Sequence, residues 1–443
     1  MAPLIESKDP IELPDSSSWS VQEFITDLRT HPDTPVVKLL EPYKGFEAQL
    51  RKAYAQQPTH EALKDGKVNL IPIFDDGTEQ YLKIRARTLG SESDGDKAKY
   101  IMELKDEDRK ADGAPAVVSS FKDFQQNFNL FSESSLSDLD WNNIVAAGSS
   151  VTTALLPVPK KWAGSKRSLR EYYHEHLAPA SDVDLFIYGL SEEQGLEKIK
   201  QIERNIKDSI LHETTTIRTK NAITIASQYP TRHVQIVLRL YDSISQIITG
   251  FDVDCACVAY NGSQVYAAPR AIAAFVTQCN TIDLTRRSPS YENRLSKYSR
   301  RGFEVHWPLL DRTRIDPTIF ERSFGRTQGL ARLLILEKLP KTVDRDNYMD
   351  QRRAERGRPT LHRNFYHKMG GNIKDQEEDD IAEWVDHEEV ASYHTMTVPY
   401  GKYLPDFRTL GYLFPRPKVP RCQNQSTSLR KRFASQCGVE QAR

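Results

Sequence analysis

The sequence predicts an α+β protein built around a mixed sheet. Three observations carry that expectation. Between residues 118 and 285 short apolar runs alternate with amphipathic helical patterns, as a sheet covered by helices requires. SDVDLFIYG places its apolar residues with period two. Asn261-Gly262, between CACVAY and SQVYAAP, is hairpin turn chemistry. Flanking this core, residues 1–117 read as an N-terminal α+β region and 286–415 as a mainly helical region with a basic segment. Residues 416–443, rich in Pro, Ser, Gln and basic residues, read as a disordered tail.

In SVQEFITDLRTH, Ser20 is a cap and Val21, Phe24, Ile25 and Leu28 follow helical spacing. VNLIPIFDDGTEQYLKIRAR reads as a hairpin, two apolar runs around an Asp-Gly turn, and KYIMELK as a further strand. Then come a helix in SFKDFQQNFNLF, a buried strand in IVAAG, the SDVDLFIYG strand and a long amphipathic helix in EEQGLEKIKQIERNIKDSILH. NAITIAS and HVQIVLRLY are β-branched strands on either side of a QYPT turn. After a short helix, GFDVDCACVAY reads as one strand, SQVYAAP as its hairpin partner and RAIAAFVTQ as a helix.

Three carboxylates stand out. Side chains alternate along a strand, so Asp182 and Asp184 project from one face while Val183, Leu185 and Ile187 project from the other. Close carboxylates repel unless a cation lies between them, and a hard divalent ion with oxygen ligands is the usual remedy. Upstream, Gly148 lets the backbone approach a ligand, and Ser149 opens a helix whose free N–H groups would face a triphosphate. Ser149 would equally serve as a helix cap.

A Gly-Ser turn, a strand with Asp-x-Asp and a later strand with a third Asp form a pattern that resembles the DNA polymerase β type nucleotidyltransferase superfamily, with HVQIVLRLY and GFDVDCACV similar to the paired strands of poly(A)-polymerase-like members. The likeness spans roughly residues 140–285. It implies a mixed-sheet nucleotidyltransferase core and metal-dependent transfer from a nucleoside triphosphate to a hydroxyl of an RNA end, a protein or a nucleotide. Catalysis and Mg²⁺ or Mn²⁺ binding would fall to Asp182, Asp184 and Asp254, and nucleotide binding to Gly148, Ser149, Lys297 and Arg301. Asp252, on the same strand face as Asp254, stays an alternative third ligand. The alternative function is a non-catalytic nucleotide- or nucleic-acid-binding protein on the same fold. One departure is the connection from Ser149 to Asp182, LLPVPKKWAGSKRSLREYYHEHLAPA, longer than the family's and read as a basic, aromatic, helical insertion.

Arg286, Arg287, Arg294, Lys297, Arg300 and Arg301 form the densest basic cluster, with Tyr291 and Tyr298 interleaved. Arg294, Lys297, Tyr298 and Arg301 would share a helix face, able to hold a triphosphate or to track a nucleic-acid backbone with tyrosines stacking on bases. His174 and His176, two apart on a helix, make a poor metal pair, and Cys255-x-Cys257 lacks a second pair at zinc spacing.

Lys and Arg number 61 and Asp and Glu 61, so any nucleic-acid contact must come from local patches. Five irregularly spaced cysteines argue against a disulfide framework. With no apolar stretch of membrane-spanning length and no signal-peptide pattern, the expected place is the cytoplasm or nucleus.

Overall fold

A computed structural model describes residues 11, 13, 21–75, 77–179, 181–321, 327, 329–359 and 402–403. The acidic run after residue 373 and the basic tail lie outside the described residues, as does Ser20.

The helices are α1 (Val21–Thr30), α2 (Val36–Gln56), α3 (Thr78–Tyr81), α4 (Asp94–Lys97), α5 (Phe121–Phe131), α6 (Ser149–Leu155), α7 (Lys166–Glu171), α8 (Glu192–Ser209), α9 (Ile244–Thr249), α10 (Pro269–Thr277), α11 (Tyr291–Ser299), α12 (Ala331–Lys338) and α13 (Thr342–Glu355). The strands are β1 (Ile71–Pro72), β2 (Tyr100–Ile101), β3 (Ile144–Ala147), β4 (Val183–Tyr188), β5 (Thr214–Arg218), β6 (Ala222–Ser227), β7 (Val234–Tyr241), β8 (Val258–Tyr260), β9 (Val265–Ala267), β10 (Cys279–Thr281), β11 (Glu304–His306) and β12 (Lys402–Tyr403).

The main sheet runs β1-β9-β8-β3-β4-β7-β6-β5, with β12 paired to β7. It is mixed: β3 is antiparallel to β4 and β8, whereas β4 is parallel to β7, the crossover between them being made by α8 and the β5–β6 hairpin. Val183, Leu185 and Ile187 are at most 1% exposed, so one face of β4 is core, as the alternation predicts. A smaller sheet, β10-β11-β2, stands beside it. α8 starts at a capping box in which the Ser191 hydroxyl accepts from Gln194 N and the Gln194 side chain accepts from Ser191 N. Ser120 caps α5 in the same manner, accepting from Asp123 N.

The N-terminal hairpin does not form. Gly77, in the left-handed region at φ 71°, turns the chain into α3 instead of back along itself. The first apolar run joins the main sheet through Ile71 opposite Ala267. The second run pairs elsewhere, Ile84 N donating to Ala114 O at 2.8 Å. Similarly, β2 pairs with β11, so residues before 118 complete sheets built from later chain. A second correction concerns GFDVDCACVAY. Residues 251–253 are loop, Asp254–Ala256 is a 3₁₀ turn, and strand geometry begins only at Val258.

Behind the small sheet, Glu304 is 1% exposed and is held by Arg87 and Arg109. Its neighbour His306 stacks on Tyr100 with ring centroids 4.7 Å apart. Burial, helped by Lys99, Lys44 and Arg87, lowers the His306 imidazole from 6.5 to about 4. The fold therefore prefers neutral His306, and the unfolded chain binds the extra proton between those values. Stability from this group is full above about pH 6.5 and is lost as pH falls toward about 4. His306→Phe, which keeps a ring against Tyr100, should flatten that part of the stability profile in urea titrations. An unchanged slope would show that His306 is not its source.

Candidate functional site

The two ends of the long connection meet. β3 leads into Gly148, whose φ of 78° is open to glycine and whose N–H donates to Val258 O at 3.0 Å. A methyl group there would lie 3.2 Å from the Phe251 ring. Ser149 then begins α6, and its hydroxyl lies 2.6 Å from that of Ser181, immediately before Asp182. Arg301, 4% exposed, donates to the same Ser149 oxygen at 2.7 Å and to Thr153 at 3.4 Å. The structure thus brings Gly148, Ser149, Asp182 and Arg301 into one place. As α6 has only 7 residues, Arg301 is the stronger positive charge beside the turn.

Ser181 is fixed from behind by Arg232. Its guanidinium donates to Ser181 O (2.8 Å), Ala178 O (2.7 Å), Tyr173 O (2.7 Å) and Phe131 O (2.9 Å). Burial, with Arg301 adding to it, lowers the guanidinium to about 10 against the pull of Asp182 and Glu133. His233, next along, is half exposed with Nδ1 4.0 Å from Asp182 Oδ1.

Asp182 lies just before β4 with its side chain 44% exposed, and Asp184 lies inside the strand, partly buried. Burial, reinforced by the Asp182 charge, pushes Asp184 up to about 6, and Lys297 and Arg294 of α11 pull the other way. Lys297 is therefore close enough to act on Asp184. The tyrosines do not serve as base-stacking surfaces: Tyr291 is 0% and Tyr298 3% exposed. Nor is the basic cluster a single solvated face. Arg286 pairs with Glu47 and Asp283 and is little exposed, whereas Arg287, paired with Glu292, and Arg300 are exposed.

Asp254 goes elsewhere. Its Oδ1 accepts from Arg270 at 3.3 Å and its Oδ2 from Thr281 N at 2.9 Å. Arg270 also binds Glu47 of α2, which Arg286 reaches too. Burial of Glu47 would raise its carboxyl, but Arg270 and Arg286 hold it below the ordinary range. The physical reason for the divergence is the 3₁₀ turn: period two does not apply there, so Asp252 and Asp254 leave in different directions. Asp252 is the one beside β4. The preceding Phe251 packs on Phe186 at 5.5 Å, and Asp252 accepts from Arg294 (2.7 Å) and Ser288 (2.8 Å), the same Arg294 that acts on Asp184.

Oxygen donors with mutual repulsion at Asp182 and Asp184 fit a hard divalent ion. Asp254, with Arg270 and Thr281 on its two oxygens, does not fit as a third ligand, and Asp252 would fit only once Arg294 releases it. Among the described residues the one trio of His, Cys, Asp or Glu ligand atoms within 4.8 Å of one another is Glu171, Glu175 and His176, all exposed. Sequence reasoning missed the anchoring work of Ser181 and Arg232, for which no spacing pattern exists. Among the described residues no helix is long and apolar enough to cross a membrane.

The class defined by this geometry is an α+β protein with a Gly-Ser turn, a carboxylate pair and buried cations gathered at one end of the central strands β3 and β4 of a mixed sheet. Against known families, residues 121–278 match one described as Gad2, Gabija anti-defense 2 family protein. An uncharacterized protein, R883, of Acanthamoeba polyphaga mimivirus is 32% identical over 235 residues, which cover 50% of this chain and 47% of that protein. The chain thus spans about half the length of the curated relative it matches.

Arg232→Met would leave four buried carbonyls without their donor and should cost about 3 to 5 kcal/mol in urea unfolding, the range for breaking a buried charged contact. Arg232→Lys should recover only part, lacking the fork that reaches four oxygens. A loss below about 1 kcal/mol for the Met variant would show that the main chain before Asp182 is held by something else.

Proposed function

We propose that this chain transfers a nucleotidyl group from a nucleoside triphosphate to a hydroxyl acceptor. The observation that supports the reading is the contact of Ser149 with both Ser181 and Arg301, which sets the Gly-Ser turn beside Asp182. On this reading Asp182 and Asp184 would hold Mg²⁺ or Mn²⁺, with Asp252 in place of Asp254 as the third carboxylate. A bound divalent ion supplies charge neutralisation at the reacting phosphorus and lowers the pKa of the attacking hydroxyl.

The chain's own groups do the rest. The Ser149 hydroxyl and the Arg301 guanidinium hold phosphate oxygens, Arg301 in the two-pronged geometry that suits them. Lys297 and Arg294 neutralise charge on the face of β4 that carries Asp184. The wall of Phe186 and Phe251 beside the pair excludes water and strengthens each of these interactions. Asp254 acts in folding, tying the 3₁₀ turn to α10 and, through Glu47, to α2.

A specific observation favours a second reading, nucleotide recognition without turnover. Both candidates for the third carboxylate are held by arginines, Asp252 by Arg294 and Asp254 by Arg270. The matched family is named for an anti-defence role, and that name is compatible with either reading.

The deciding experiment measures pyrophosphate release with each nucleoside triphosphate, Mg²⁺ or Mn²⁺, and hydroxyl acceptors. Transfer requires that Asp182→Asn with Asp184→Asn lower the rate on the order of 10²-fold or more, with little change in melting temperature because Asp182 is half exposed. Asp254→Asn should instead lower the melting temperature, by weakening the Arg270 contact. Nucleotide binding without pyrophosphate would establish the second reading, and full activity in the double variant would end the first.

A further inference from the structure

From Trp141 through Arg170 the chain contains no Asp or Glu, yet Lys160, Lys161, Lys166, Arg167 and Arg170 fall inside it. In a chain of balanced charge this is a strong local excess. Arg170 is used internally, forking onto Glu133 together with His174. Lys160, Lys161, Lys166 and Arg167 are all exposed. By contrast Arg286, Arg287 and Arg294, in α11 and its approach, are held in ion pairs with Glu47, Asp283, Glu292 and Asp252.

The segment is braced. Its stem is clamped at one end by Ser149–Ser181 and at the other by Arg232 on Tyr173 O and Ala178 O. At its outer part Trp162 stacks on Tyr172 at 5.9 Å and lies 4.6 Å from the His176 ring, while Lys161 Nζ sits 5.5 Å from the Trp162 ring centre. Trp162 and Tyr172 are partly exposed. The result is an ordered prong rooted between the Gly-Ser turn and Asp182, with cations and aromatic rings together on its surface.

We infer that this prong, residues 157–177, binds single-stranded nucleic acid and directs its terminal hydroxyl toward Ser149 and Asp182. The exposed Lys160, Lys161, Lys166 and Arg167 meet the phosphates, and rings beside them offer the stacking surface that single strands use and duplexes cannot reach. The destination of the hydroxyl rests on the nucleotidyl-transfer reading, while the binding itself does not. Glu171 and Glu175 stand on the prong after the basic run and give it an acidic flank. A strand would therefore follow the side carrying residues 160–167.

The test is fluorescence anisotropy with the full chain and a labelled RNA of roughly 20 nucleotides, single-stranded or annealed, between about 50 and 200 mM salt. Four phosphate contacts predict a slope of log K against log salt of about −3 for the single strand. The combined variant Lys160→Ser, Lys161→Ser, Lys166→Ser, Arg167→Ser should keep its melting temperature. Its binding should weaken on the order of 10²-fold at low salt, with most of that slope lost. Wild-type affinity in that variant, equal affinity for the duplex, or binding to anionic phospholipid vesicles without binding to the RNA would each overturn the inference. RNA binding through the prong without pyrophosphate release from any triphosphate would refute the transfer reading and leave the binding surface standing. Pyrophosphate release with unaltered RNA binding in the variant would do the reverse.

Discussion

One buried guanidinium organises the site. Arg232 is 5% exposed and donates to carbonyls from three separate stretches: the end of α5, the helical turn after α7 and the residues just before β4. A cation inside a protein is tolerated only where hydrogen bonds replace its water, and main-chain oxygens do so here. Because these bonds lie on the main chain, they fix backbone position whatever the neighbouring side chains do. Ser181 is thereby held where its hydroxyl meets Ser149, and the long connection between them closes without moving Asp182 away from the turn. Loop closure grows costly only slowly with length, so an insertion is tolerated when its ends are pinned.

The same economy of charge separates the aspartates. The chain is neutral overall, yet its interior holds opposed charges sorted into compartments. One compartment, Glu47 with Arg270, Arg286 and Asp254, joins α2 to α10 behind the sheet. Another, Asp252 with Arg294 and Ser288, lies along α11 and borders the face of β4 that carries Asp184. Each arginine in these groups removes a carboxylate from general use. Asp184 is pushed up by burial first and by the Asp182 charge second, with Lys297 and Arg294 pulling the other way, whereas the arginines around Glu47 outweigh its burial and pull it down.

Elements whose signal is local were legible in the sequence. The alternation of β4, the Asn261-Gly262 hairpin of β8 and β9, and the capped amphipathic helices α5 and α8 all follow from side chains within a few residues of one another. The failures share a cause, since each turns on a distant partner. Ile71 is drawn to Ala267 instead of to the run after Gly77, and β5, a threonine-rich edge strand with little apolar alternation, exists because β6 is there to pair with it. The pairing of Arg286 with Glu47 is invisible in sequence because nothing near Arg286 reveals its partner on α2. Asp252 and Asp254 were indistinguishable for the opposite reason. Period two holds only along extended backbone, and one turn of 3₁₀ helix suffices to send two neighbouring carboxylates apart.

The two proposed readings differ in a single exchange. Arg294 now holds Asp252, and a phosphate is at least as good a partner for a guanidinium fork as a carboxylate. If an incoming triphosphate takes the guanidinium, Asp252 is exposed as a third oxygen donor beside Asp182 and Asp184, and the charge freed is the charge a divalent ion would balance. If the pair holds, the phosphate meets only Ser149, Arg301 and Lys297, enough for recognition but short of a full set of carboxylates. The pair is partly buried, Arg294 at 35% and Asp252 at 11% side-chain exposure, so breaking it costs more than a surface ion pair and less than a fully enclosed one. The balance is therefore set by what replaces each contact, and Ser288, bonded to both partners, is the group left to satisfy whichever one remains.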